Sequence, residues 1–198
     1  MAVAKSRKVK KAWVPAFAGM SGSGGTLPDE SRRTLAFQAY ALALMVVLLD
    51  QLSKLWVLNG LHIAERGPVE VLPFFRLQLV WNRGVSFGLF RADEHMMRWA
   101  LTGFAGIVVA FLAAWAWRQT RRLPALALGL IIGGAAGNNF IDRPRFGAVV
   151  DFLDFSPIFP WVFNVADSAI SMGVALLLLD TFLDRDKASP PQEGRLGA

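Results

Sequence analysis

Apolar positions in this chain are gathered into four long runs, and the polar positions fall almost entirely between them. Leu35–Leu49 is apolar except for Gln38, after which Asp50-Gln51-Leu52-Ser53-Lys54 breaks the pattern, so a first membrane span is predicted over about Thr34–Leu58. Trp99–Trp117 carries no charge; at roughly 1.5 Å per helical residue it covers about 28 Å, close to the hydrocarbon thickness of a bilayer. A third span, Leu123–Ile141, starts with Pro124 in its first turn, where a missing N–H is harmless. Gly129, Gly133 and Gly137 recur along it every four residues, a small-residue stripe that lets a second helix approach closely. The fourth, Trp161–Leu179, holds a single charge, Asp167, on a polar stripe with Asn164, Ser168 and Ser171.

The connections are uneven. Residues 60–98 are rich in Val, Phe and Leu with partial alternation, which predicts strands, a small sheet lying on the membrane surface. Asn82-Arg83-Gly84 reads as a turn, and Trp81, Phe87 and Phe90 suit the headgroup layer. The architecture expected is an all-α membrane protein of four transmembrane helices with a small β-rich extramembrane segment between helices 1 and 2. Residues 34–183 would form the working unit, residues 1–33 a disordered basic tail with Met20 as a candidate later start, and residues 184–198 a flexible end.

Composition supports the membrane reading. The chain is 54% hydrophobic and only 18% charged, against about 25% charged in ordinary soluble domains. Its net charge of +6 does not indicate nucleic acid, because the basic residues form no groove or stripe and sit at the ends of apolar runs. Cysteine is absent, and His62 and His95 stand far apart, so neither thiol chemistry nor a metal centre or other cofactor is expected. The N-terminal tail, the 118–122 loop and the C-terminal tail hold most of the 21 Lys and Arg, which places both termini in the cytoplasm.

Gly133–Asp167 then lies toward the outer face. It concentrates Asp142, Asp151, Asp154 and Asp167 with Asn139, Asn164 and Arg143. Charges near a helix centre in a bilayer cost about 2.5–3.5 kcal/mol each unless partnered, so such a concentration points to use. Asn139, Asp142 and Arg143 share one helical face, as do Asp50 and Lys54, whose order suits an ion pair. Two chemistries fit carboxylates without metal, Cys or a His base. One is aspartyl proteolysis, in which two neighbouring acids share a proton; the other is proton coupling in a small membrane carrier. Spacing alone does not choose the pair among the four acids. The bland alternatives are an Asp167 neutralised by Lys54 or Arg143, and solvated loop acids at Asp151 and Asp154.

Four boxes carry a resemblance: DQLSK at 50–54, NRGVSFG at 82–88, NFIDR at 139–143 followed by GAVVDF at 147–152, and FNVAD at 163–167. In this order, over about residues 35–183, the chain resembles the lipoprotein signal peptidases (signal peptidase II). The resemblance implies an aspartic endopeptidase of the bacterial inner membrane, acting alone and without a cofactor. Its substrates would be prolipoproteins, cut just before the diacylglyceryl-modified cysteine, with the lipid chains left in the membrane. It implies Asp151 and Asp167 as the catalytic dyad. Asn139, Arg143 and Asn164 would serve as polar support, Asp50 and Lys54 as the first box, Asn82 and Gly84 as a substrate-holding loop, and Asp142 as an orienting acid. Where the family has Gly-Asn, this chain has Asn138-Asn139; the spacing to Asp142-Arg143 favours Asn139 as the supporting amide, with Asn138 its competitor. The carrier remains the alternative.

Overall fold

The computed structural model describes residues 29–84, 94–156 and 158–188. Four helical segments, 29–60, 95–117, 122–146 and 165–184, are long and apolar enough to cross a membrane. The first is helix α1 (Asp29–Leu55), prolonged by a π-helical turn (Trp56–Gly60); the second is α3 (Glu94–Trp117). The third joins α4 (Arg122–Ala136), a second π turn (Gly137–Asp142) and the short α5 (Arg143–Phe146), and the fourth is α6 (Val165–Ala188). Phe37, Phe104, Ile107 and Phe111 are each 65% or more exposed. Large apolar side chains turned outward along every turn of a helix fit a lipid surface and not water.

α4 sits in the middle and packs on α1, α6 and α3. The reason is the glycine stripe. A Cβ on Gly129 or Gly133 would collide with the backbone of Ala39 or Ala43 of α1, and one on Gly134 with the backbone of Ala166 of α6. With lipid offering no hydrophobic drive between helices, such close backbone approach is what holds spans together. The small residues of α1 (Ala36, Ala39, Ala43) are buried along the same seam. At the other end of the bundle, Arg121 reaches from the α3–α4 connection to Asp180 (2.5 Å) and Asp184 of α6.

The strands expected between the first two spans are present as β1 (Val69–Leu72) and β2 (Phe75–Asn82), preceded by a single turn of helix, α2 (Ile63–Arg66). The sheet is larger than that connection. It is a four-stranded antiparallel sheet in the order β1-β2-β3-β4, completed by β3 (Val149–Asp154) and β4 (Val162–Phe163) from the segment between the third and fourth spans. Its inner face covers one end of the bundle through Val57, Ile63, Leu77 and Phe152.

Three boundaries differ from expectation. α1 starts at Asp29, five residues early, and α3 at Glu94. α6 starts later, at Val165, because Trp161–Asn164 supplies β4 and the helix cap; Pro160 disfavours a helical residue before it. Phe87 and Phe90, expected at the headgroup layer, and Val85–Gly88 of the second box lie outside the described residues.

Candidate active site

The polar site is built around a lysine. Lys54 is 2% exposed, and its three donors have three partners: Asp50 at 2.7 Å, Asp142 at 2.7 Å and Asn138 Oδ1 at 2.8 Å. A buried ammonium is tolerable only when it is paired and its hydrogen bonds are filled. Two carboxylates against one cation still leave an excess of negative charge, and Gln51 meets it with a neutral donor. Its Nε2 bonds Asp50 Oδ2 (3.1 Å) and Asp142 Oδ1 (2.9 Å). The free oxygen of Asp50 and the Lys54-paired oxygen of Asp142 also reach backbone donors on other elements. Asp50 Oδ1 accepts from the backbone N–H of Ala166 on α6 (3.0 Å), and Asp142 Oδ2 from that of Val150 on β3 (3.1 Å). One buried knot thus sets α1, the end of α4, β3 and α6 in place.

The π turn at Gly137–Asp142 decides which amide points where. Such a turn carries one more residue than the α-helix it interrupts, and it turns the following side chains round the axis. Asn138 is buried, accepts from Lys54, and donates Nδ2 to Asp167 Oδ1 at 2.8 Å. Asn139 turns aside: it donates to the carbonyl of Ala135 (2.9 Å) and accepts from Arg143 Nε (3.0 Å). The amide touching Asp167 is therefore Asn138, whereas spacing favoured Asn139; Asn139 orients Arg143 instead.

Asn164 joins the two acids singled out by the resemblance. Its Nδ2 donates to Asp151 Oδ1 at 2.6 Å, and its Oδ1 accepts from the backbone N–H of Asp167 at 2.9 Å. Its own N–H lies 3.4 Å from Asp167 Oδ2, so residues 164 and 167 cap the start of α6 reciprocally. Asp167 consequently sits in the first turn of α6, where the helix dipole favours negative charge.

Asp151 arrives by a different route. It lies on β3 opposite Val80 of β2, just past an irregularity in the strand register between Leu77 and Val80. Asn82, two residues along on the same face, donates Nδ2 to Asp151 Oδ2 at 2.9 Å. The Asn82 Oδ1 is itself held by the N–H of Gly84 at 2.9 Å, which fixes the amide's direction. Gly84 has φ +97°, and a Cβ there would stand 3.0 Å from the Arg143 guanidinium, so both conformation and space call for glycine. Arg143, 9% exposed, directs its charge toward Asp151, Asp142 and Asp167.

The four acids of the Gly133–Asp167 segment have thereby been sorted. Asp142 is locked by Lys54. Asp154 is not a solvated loop acid: it is 3% exposed on β3 and paired with Arg76 at 2.5 Å. The Ser156 hydroxyl, at 2.6 Å, is the main influence holding its carboxyl below the ordinary range, with Arg76 adding to it. Asp151 and Asp167 have amide partners and, among the described residues, no ion pair. Burial pushes the Asp151 carboxyl up to about 6, with the charge of Asp167 adding to the effect; Asn82, Asn164 and Lys54 oppose it. A buried acid beside a second acid, poised near neutrality, is suited to proton transfer. Gln51 is the member of the site that no role was expected for, although it stands inside the DQLSK box, three residues before Lys54.

A bundle of membrane-crossing helices with paired acids under a surface sheet defines a polytopic membrane protein with a polar site at one end of its spans. Comparison with known sequences narrows the class. Residues 42–183 match the family model for signal peptidase (SPase) II. A lipoprotein signal peptidase of Caulobacter vibrioides is 51% identical over 161 residues, covering 81% of this chain and 95% of the relative. One from Beijerinckia indica is 47% identical, covering 75% of this chain and 89% of the relative. A solved structure described as a bacterial membrane enzyme superposes with TM-score 0.62 at 25% identity, over 79% of this chain and 94% of that one. The chain belongs to the signal peptidase II family.

Proposed function

We propose that this protein removes signal peptides from prolipoproteins as an aspartic endopeptidase, with Asp151 and Asp167 as its catalytic pair. Family membership supports the reaction and its substrates. The observation that carries the pair is the bridging amide of Asn164, which holds Asp151 at 2.6 Å and the start of α6 at Asp167 at 2.9 Å. Of the acids around this cluster, these two have no bonded cation among the described residues, while Asp50, Asp142 and Asp154 are ion-paired.

Two close carboxyls share one proton. The ionised member takes a proton from a water molecule as that water attacks the scissile carbonyl, and the protonated member donates to the carbonyl oxygen. Collapse of the tetrahedral intermediate breaks the C–N bond as one of its hydroxyls returns a proton to the ionised acid, and the leaving amine takes a proton from the other acid, which restores the singly protonated pair. Arg143 and the amides of Asn138 and Asn164 keep both acids in place during this cycle, and Asn82 and Gly84 line the side facing substrate. All these groups come from one chain, which fits a monomer. Basic residues at the two tails and at 118–122 fit cytoplasmic termini and a site at the outer face, with the substrate's acyl chains in the bilayer. A proton-coupled carrier, the other use for such acids, has no observation in its favour.

Incubating the purified protein with a diacylglyceryl-modified precursor tests the proposal. The wild type yields the shorter mature form, and Asp151→Asn or Asp167→Asn leaves the precursor intact. Normal trimming by either variant would sink the assignment.

A further inference from the structure

Positive charge on the sheet side of the bundle is compensated unevenly. Arg76 is paired with Asp154, and Arg143 lies among the site's acids. Arg98 and Arg145 are different. Arg98, near the start of α3, lies with its Cζ 5.4 Å from the ring centre of Trp99, and its Nη2 is 3.2 Å from Nδ1 of His95. Its Nη1 flanks Gly147, where α5 ends, and its Nε is buried with no acceptor. Arg145, on α5, sits 4.9 Å over Phe146, whose ring packs 5.6 Å from Trp81. Neither guanidinium forms an ion pair among the described residues.

Both arginines stand where apolar spans end, one at the entry of α3 and one at the exit of the third span. That is the depth of lipid phosphates, and the exposed Trp81 and Trp99 beside them suit the same layer. A guanidinium laid on an aromatic face is held in orientation while its N–H edge stays available to an oxyanion. A buried donor without an acceptor calls for an explanation, and among the described residues no carboxylate pairs with this charge.

We propose that Arg98 and Arg145, backed by Trp99 and Phe146, bind the phosphate headgroup of an anionic phospholipid in the leaflet on the side of the sheet. An anionic lipid is favoured over a zwitterionic one because a headgroup ammonium would meet two guanidinium groups. The headgroup would rest against the α5–β3 joint at Gly147, from which the chain runs directly into Asp151. The proposal is independent of which acids perform the chemistry.

Native mass spectrometry of the delipidated full chain, offered equal amounts of phosphatidylglycerol and phosphatidylcholine, provides the test. The wild type retains phosphatidylglycerol in preference, by about tenfold or more. Arg98→Gln combined with Arg145→Gln brings the anionic lipid down to the level of the zwitterionic one. Arg118→Gln, which removes the same charge at the other end of α3, keeps the preference. Equal retention of the two lipids by the wild type would overturn the proposal, and that comparison needs no variant to fold. It would also fail if the double variant kept the wild-type preference, or if inorganic phosphate at the lipid's concentration displaced it.

Discussion

Asn164 Nδ2 donates to Asp151 Oδ1 at 2.6 Å, across a gap between the end of β4 and the middle of β3. The same amide nitrogen lies 3.3 Å from the carbonyl of Val150 and 3.1 Å from Asn138, and the amide oxygen caps α6 at Asp167. A single side chain therefore ties a strand acid to a helix acid.

Asn164→Ala removes that tie while leaving both acids in the chain. Supporting groups of this kind are typically worth 10- to 100-fold, and a fall in kcat of about that size is expected with the fold retained. Steady-state cleavage of a lipidated peptide, read beside the thermal midpoint in detergent, distinguishes this from unfolding. An unchanged kcat would show that the amide does not position the pair.

The Asp151 carboxyl, pushed by burial up to about 6 from its ordinary value of 3.8, makes stability depend on pH in a definite sense. Between those values the folded protein binds more protons than the unfolded one, so stability is greatest at the acid end and falls as pH rises through about 6. Asp151→Asn carries no such charge. Thermal midpoints taken from pH 4.5 to about 7.5 should decline more in the wild type than in the variant; parallel curves would exclude the linkage.

Asp154 offers the opposite case. It is buried, bonded to Arg76 and Ser156, and held below the usual carboxylate range, so it contributes stability above the ordinary carboxylate pKa that is lost as pH falls. Asp154→Ala should lower stability by about 1–3 kcal/mol through the unpaired donors it leaves, with cleavage by the folded fraction retained. Denaturation and turnover measured on one preparation check both halves.

Lys54→Met strands Asp50 and Asp142 without their cation. Breaking a buried pair from one side costs about 3–5 kcal/mol, enough to prevent accumulation of a small membrane protein. Gln51→Leu keeps the lysine and removes only the neutral bridge, with an expected cost of about 1–3 kcal/mol. The order of the two effects, read from membrane abundance and thermal midpoint, is the prediction; a Gln51 variant as damaging as the Lys54 variant contradicts it.

The four spans, the strands after the first, and the concentration of acids in Gly133–Asp167 could be read from the chain because bilayer physics acts on local composition, whereas Asp151, Asn82 and Gly84 are singled out only by the family resemblance. Apolar length marks a helix, alternation a strand, and a charge inside an apolar run is expensive wherever the chain goes. Partnership could not be read in this way. Asp154 and Asp151 stand three residues apart on one strand, and only the pairing of β3 with β2 sends one to Arg76 and the other to Asn82. Asn138 and Asn139 are adjacent, and the π turn that aims the first at Asp167 leaves no hydrophobic period to detect. Gln51 looked like an ordinary polar neighbour until Asp142, from a distant helix, came within 2.9 Å of it. Local sequence determined which groups enter the membrane edge; long-range packing decided which of the acids gained a directly bonded cation.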